Sequence, residues 1–205
     1  MPSMKDSDTK KNETIQKENG NMPKKENFFG ETLKFIVISL IIVVPFRYFI
    51  AQPFIVSGAS MDPTFEDGEY LIVDQLSYHF EEPARGDVII FKYPKDPSKY
   101  FIKRVIGLPN ETVIINGESV SITETDGKTV LLNEPYVANN INISFEKKLN
   151  ADEYFVMGDN RPASSDSRIW GPLPKENIIG RPLLRLLPVT RINLFPGVSQ
   201  ESSKK

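Results

Sequence analysis

Three short stretches of this chain carry side chains suited to amide-bond cleavage. The first is Phe54-Ile-Val-Ser-Gly-Ala-Ser60-Met61-Asp-Pro63-Thr-Phe65. The second is Tyr100-Phe-Ile-Lys103-Arg104-Val-Ile-Gly-Leu-Pro109, and the third is Gly158-Asp-Asn-Arg161-Pro-Ala-Ser164-Ser-Asp166-Ser-Arg168-Ile-Trp170-Gly171. A serine hydroxyl is a poor nucleophile until a base takes its proton. The 205 residues include one histidine, His79, and no cysteine, so a Ser-His-Asp arrangement would rest on His79 alone. A lysine does the same work once burial lowers its pKa from about 10.4 toward neutrality. Lys103 sits among Phe101, Ile102, Val105 and Ile106, which favours the neutral amine. Arg104 cannot take its place, because guanidinium stays protonated.

Each of these residues also has a plainer reading. Ser60 suits the N-cap of a short helical turn. Against that, Gly58 and Ala59 before it open the backbone to close approach, with amides able to stabilise an oxyanion. Lys103 could extend its ammonium to water. On a strand it would share a face with Phe101 and Val105, while Ile102, Arg104 and Ile106 face the other way. Asp159, Asn160 and Arg161 are turn and loop hydrogen-bonders, and His79 reads as a surface or packing residue. Ser144-Phe-Glu-Lys147 fits a Ser-x-x-Lys pattern without its partner motifs and is a chance match. The three Asn-x-Ser/Thr triplets carry no weight either.

In this order, behind an apolar segment, the three stretches resemble the bacterial type I signal peptidases, Ser-Lys membrane proteases of family S26. The resemblance runs from about Phe35 to Phe195. It implies an antiparallel β catalytic fold, Ser60 as nucleophile and Lys103 as general base. It further implies that Ser164 hydrogen-bonds the lysine and that Asp166 and Arg168 form an ion pair holding the Ser164 loop. Some members carry a serine donor to the oxyanion where this chain has Gly58; either a backbone amide replaces it or the donor set is weaker. By motif position, Phe54, Val56, Ile90 and Ile102 would shape the pocket for the third residue before the cut. Met61, Phe65 and Phe101 would help shape the pocket for the residue at the cut. Large apolar walls reject bulk and select a small-x-small sequence; the plain alternative for each is core packing. The implied partners are signal-peptide-bearing precursors and a lipid bilayer, with no metal or cofactor. The short interval between Lys103 and Gly158 matches the compact, single-anchor type.

These side chains need a scaffold. Hydrophobic content of 40%, charge of 25% and a net charge of −2 are those of a globular chain, and no basic stripe points to nucleic acid. Residues 1–32 are polar with balanced charge and read as a disordered tail. Residues 33–50 read as a transmembrane helix, apolar from Phe35 to Val44 apart from Ser39, with Lys34, Arg47 and Tyr48 suited to the interfaces. A buried core helix and a cleaved signal peptide are the competing readings. Gln52-Pro53-Phe54 is a poor cleavage site, and the apolar side chains cover every face. The expected topology is single-pass in the plasma membrane with a cytoplasmic N-terminus and an extracytoplasmic catalytic domain; the charge pattern is mixed, and the orientation follows mainly from the resemblance. Residues 51–198 read as the β-rich peptidase domain. Its strand-like runs are Tyr70–Val73, Asp87–Tyr93, Thr112–Ile115 and Tyr154–Met157, with hairpin signals at Asn116-Gly117 and Asp126-Gly127. A small hairpin extension is expected at about 112–145, and short helical turns near 61–65 and 174–178. Residues 199–205 are a polar tail. The rival functions are a dedicated processing peptidase for one surface or pilus protein, and an inactive membrane-anchored β-domain that binds peptides.

Overall fold

A computed structural model describes residues 28–45 and 51–198. The first described segment is a single helix, α1 (Phe28–Pro45). It begins ahead of the expected boundary at residue 33. Glu31 in its first turn complements the positive end of the helix dipole. The described side chains of α1 are exposed along its length. Among the described residues no helix is long and apolar enough to cross a membrane. Glu31 and Lys34 occupy the N-terminal turns, so the apolar run Phe35–Val44 rises only roughly 15 Å, about half the hydrocarbon thickness of a bilayer. The rest of the expected anchor, 46–50, lies outside the described residues. So do residues 1–27 and 199–205, which hold most of the two expected tails.

The remaining described chain is mainly antiparallel β. The strands are β1 (Ala51–Ile55), β2 (Tyr70–Asp74), β3 (Val88–Tyr93), β4 (Asp96–Gly107), β5 (Thr112–Gly117), β6 (Ser119–Thr123), β7 (Thr129–Leu131), β8 (Ile143–Lys148), β9 (Glu153–Met157), β10 (Leu173–Pro174), β11 (Ile178–Leu187) and β12 (Asn193–Leu194). A short helix, α2 (Ser167–Trp170), lies between β9 and β10. The larger sheet runs β1-β2-β11-β3-β4-β9-β10, with β12 on β11. The smaller sheet runs β7-β6-β5-β8. Its first hairpin turns at Gly117-Glu118, one position later than the Asn-Gly signal alone suggests, with Asn116 paired to Ser119. The expected helical turn at 174–178 is a 3-10 turn at Lys175–Asn177. The 61–65 segment is a hydrogen-bonded turn, with the Phe65 amide donating to the Met61 carbonyl at 2.9 Å.

Three apolar clusters hold these layers. Val56, Met61, Phe65, Leu71 and Val88 pack beneath the Ser60 turn. Ile89, Phe91, Val105, Val156 and Trp170 form a second cluster, and Ile106, Val113, Ile122, Phe155 and Met157 a third that joins the two sheets. Strand β4 runs between them. Its alternation sends Phe101, Lys103 and Val105 to one face and Ile102, Arg104 and Ile106 to the other. From Lys103 to Gly107 every residue is buried, because both faces of the strand are covered. A lysine at position 103 therefore has no free path to solvent along its own strand.

Candidate active site

The register of β4 fixes the lysine. Lys103 pairs with Ile89 of β3, while its neighbour Arg104 pairs with Met157 of β9, one residue before Gly158. The Lys103 side chain is 4% exposed, and its Nζ lies 2.7 Å from Ser60 Oγ. The same nitrogen donates to the Ile102 carbonyl at 2.8 Å. Burial pushes the Lys103 amine down to about 8, while the nearby carboxylates of Asp166 and Asp159 act in the opposite direction. The Phe101 ring, 5.4 Å from Nζ, is itself stacked on Tyr93 at 4.6 Å.

Ser60 is held from behind by the third motif. The Asn160 amide donates to the Ser60 carbonyl at 3.1 Å, and Asn160 Nδ2 donates to the Ala59 carbonyl at 3.0 Å. Gly158 makes this approach possible. A Cβ at that position would sit 2.3 Å from the Ser60 carbonyl oxygen and 2.4 Å from Ser164 Oγ, which no side chain tolerates. Gly58, two residues before the serine, adopts φ +88°, a backbone conformation that favours glycine. Its amide donates to Asp67 Oδ1 at 2.7 Å, so the Gly58 N–H is engaged within the loop.

Ser164 is buried, and its hydroxyl has no hydrogen-bond partner among the described residues. The expected hydrogen bond from Ser164 to Lys103 is absent; the acceptor at the lysine nitrogen is the Ile102 carbonyl. The Ser164 side chain instead packs against the bare Cα of Gly158. The adjacent Ser165 is exposed and lines the cavity at the dyad. Asp166 and Arg168 pair at 2.7 Å. Asp166 also accepts from the Gly158 amide at 3.1 Å and caps α2, and Arg168 donates to the Arg161 carbonyl at 2.7 Å.

A cavity of about 480 Å³ opens on Ser60 and Lys103. Phe54, Val56, Ile90, Phe101 and Ile102 line it, together with Leu71 and Tyr100, which sequence reasoning missed. Met61 and Phe65 do not line it. They are 1% and 0% exposed and belong to the cluster beneath the turn, because the turn at 61–65 points their side chains inward. His79 is elsewhere: its Nδ1 contacts the Gln75 carbonyl on an exposed stretch.

The largest element missed from sequence is the Arg104–Asp159 pair. Both side chains are about 1% exposed and lie 2.6 Å apart. Arg104 Nε bonds the second carboxylate oxygen at 2.9 Å, and its Nη1 donates to the carbonyls of Gly86 and Gly197 at 2.8 and 2.7 Å. The available signal was an arginine inside an otherwise apolar strand, which requires a buried carboxylate partner. The chain thus brings a buried lysine of lowered pKa against a serine hydroxyl at the floor of an apolar cleft, an arrangement able to perform base-assisted acyl transfer.

The pattern of one protein family, described as signal peptidase, peptidase S26, matches residues 29–187. A probable signal peptidase I-1 of Synechocystis sp. is 37% identical over 182 residues, covering 85% of this chain and 90% of the relative. Signal peptidase I of Leptolyngbya laminosa is 39% identical over 181 residues, covering 84% of this chain and 86% of the relative. The crystal structure of a signal peptidase I from Enterococcus faecalis V583 aligns with a TM-score of 0.44 at 31% identity, covering 49% of this chain and 97% of that one.

Proposed function

The chain belongs to the signal peptidase family, peptidase S26, and on that premise we propose that it is a serine endopeptidase removing N-terminal signal peptides from secreted precursors, with Ser60 as nucleophile and Lys103 as general base. The observation that carries the dyad assignment is the 2.7 Å approach of a buried Lys103 Nζ to Ser60 Oγ. Ser60 Oγ attacks the carbonyl carbon after a small residue and gives its proton to neutral Lys103. The resulting ammonium donates that proton to the departing amine as the C–N bond breaks, leaving an acyl ester on Ser60. Neutral Lys103 then takes a proton from water, the hydroxide attacks the ester, and the lysine returns the proton to Ser60 Oγ. With the Gly58 amide engaged by Asp67, the amides of Ala59 and Ser60 are the oxyanion donors of this turn. Ile102 orients the base through its carbonyl. Ser164, Asp166 and Arg168 hold the Gly158–Trp170 segment behind it.

The apolar walls Phe54, Val56, Ile90, Phe101 and Ile102 support selection of a small-x-small sequence before the cut. Met61 and Phe65 act one layer deeper, by supporting the turn. The uncovered apolar side chains of α1, followed in sequence by Phe46, Tyr48, Phe49 and Ile50, support attachment to a bilayer. We read the enzyme as single-pass in the plasma membrane, N-terminus cytoplasmic, with residues 51–198 as the extracytoplasmic peptidase domain. The test is the purified full chain in detergent, incubated with a precursor carrying an Ala-x-Ala site, with product masses measured. Cleavage at that site, lost in both Ser60→Ala and Lys103→Ala, is expected. A precursor left intact by a folded enzyme would overturn the reading.

A further inference from the structure

The smaller sheet, β5 to β8, lies away from the cavity, and nothing in the chemistry above uses it. Its connection between β7 and β8, residues 132–142, departs from the sheet and crosses to the third motif. Both ends are pinned, since Leu132 and Ile143 pack on the cluster that joins the two sheets. Between them, the inward contacts converge on Gly158–Arg161 and on Arg104. Glu134 Oε1 accepts from Arg161 Nη2 at 2.5 Å and from the Tyr136 hydroxyl at 3.0 Å. The Tyr136 ring covers the Arg104 guanidinium, 4.0 Å from its centre. The Asn139 carbonyl accepts from the Arg161 amide at 3.2 Å, and Asn139 and Asn160 form a parallel bridge.

Those contacts continue to the reacting serine. Arg161 is 3% exposed, and its Nε donates to the Gly158 carbonyl at 3.1 Å. The next link is Asn160, whose amide and side chain hold the Ser60 and Ala59 carbonyls. Two hydrogen bonds and the Asn160–Arg161 peptide bond therefore separate Glu134 from the nucleophile's own peptide. Removing Glu134 would leave the Arg161 cation buried without its carboxylate, a condition a protein relieves by moving the cation toward water. That movement would release the Gly158 carbonyl and loosen the Asn160 clamp. A nucleophile displaced by a fraction of an ångström attacks poorly even where substrate still binds.

We propose that the smaller sheet is a brace for the nucleophile turn, and that Glu134 and Tyr136 are positioning residues acting on Ser60 through Arg161 and Asn160. The brace rests on the functional reading above only for its kinetic readout. The experiment compares the full-length wild type, Glu134→Ala, Glu134→Gln and Tyr136→Phe on a peptide carrying an Ala-x-Ala site, alongside amide hydrogen exchange. Glu134→Ala should lower kcat by about tenfold to a hundredfold with KM within about twofold. It should speed exchange of the Asn160 and Arg161 amides while leaving the β9 amides unchanged. Glu134→Gln keeps an acceptor oxygen for Arg161 Nη2 but not the charge, and should recover only part of the loss. Tyr136→Phe keeps the ring on Arg104 and removes only the hydroxyl that orients Glu134, so a drop of about threefold in kcat alone is expected; this variant decides the matter if Glu134→Ala does not fold. Near-normal kcat in a folded Glu134→Ala enzyme would overturn the brace, as would faster exchange spread evenly through β9. If the wild type leaves the peptide intact, the functional reading fails, while the exchange comparison still decides the brace.

Discussion

Replacing Lys103 with methionine should abolish cleavage and, near neutrality, remove a large penalty on stability. The side chain is 4% exposed, and burial moves its amine from 10.5 in the unfolded chain to about 8 in the folded one. Between those values the unfolded chain holds more protons than the folded chain, so stability rises with pH across that window. At pH 7 the penalty for keeping this group folded is about 3 kcal/mol, from roughly 2.5 units at 1.36 kcal/mol each. At pH 10 about a quarter of the unfolded-state lysine is already neutral and the folded-state lysine almost wholly so, and the penalty falls to about 1 kcal/mol. Methionine loses the hydrogen bonds to Ser60 and Ile102, which offsets the gain by about 1 kcal/mol each, and this offset is similar at both pH values. The informative quantity is therefore the change in the stability difference between variant and wild type. It should shift against the variant by about 2 kcal/mol from pH 7 to pH 10 in denaturant titrations. The same lysine sets the acid limb of the wild-type rate. About a tenth of it is neutral at pH 7, so kcat/KM should rise about tenfold to a plateau through a midpoint near 8. A stability difference constant from pH 7 to 10, or an acid limb still climbing at pH 10, would refute the assignment of a depressed pKa to Lys103.

Other perturbations have equally definite outcomes. Gly158→Ala places a methyl 2.3 Å from the Ser60 carbonyl oxygen; peptide cleavage should fall below detection and thermal denaturation should show a loss of at least about 2 kcal/mol. Arg104→Ala strands the fully buried Asp159 carboxylate and should destabilise the domain by about 3–5 kcal/mol in urea titration. His79→Ala should leave both turnover and the unfolding midpoint near wild type, since the residue is exposed, remote from the cavity at the dyad, and its Nδ1 contacts the Gln75 carbonyl.

What could be read from sequence and what could not divide along physical lines. The runs Tyr70–Val73, Asp87–Tyr93 and Tyr154–Met157 correspond to β2, β3 and β9, because β-branched and aromatic residues bounded by turn formers leave little alternative. The apolar neighbours of Lys103 already suggested a depressed pKa, since flanking residues on a strand covered on both sides are buried with it. Residues whose roles depend on long-range register were not legible. Nothing local to Asp159 distinguishes a turn carboxylate from the buried partner of Arg104, 55 positions earlier. Ser164 was expected to bond the lysine, and its close packing against Gly158 leaves the hydroxyl without a partner among the described residues. Met61 and Phe65 fell to the wrong side of the turn because a turn, unlike a strand, has no period from which a facing can be counted. The second sheet was expected only as a hairpin extension; β7 is three residues long and β8 is largely polar, so neither produces a strong pattern.

The bond from Arg104 to the Gly197 carbonyl spans 93 positions of chain, and it bears on when the enzyme comes into being during synthesis. Ser60 and Lys103 are made by the middle of the chain, yet the arginine next to the lysine is without one of its acceptors until almost the last described residue has been made. Gly197 also rests against Phe65 and Val88, in the cluster beneath the Ser60 turn. A growing chain therefore carries both reactive side chains for nearly half of its elongation without a finished floor beneath them. The C-terminal segment is thus the last piece of the floor on which the Ser60 turn and the Lys103 strand rest.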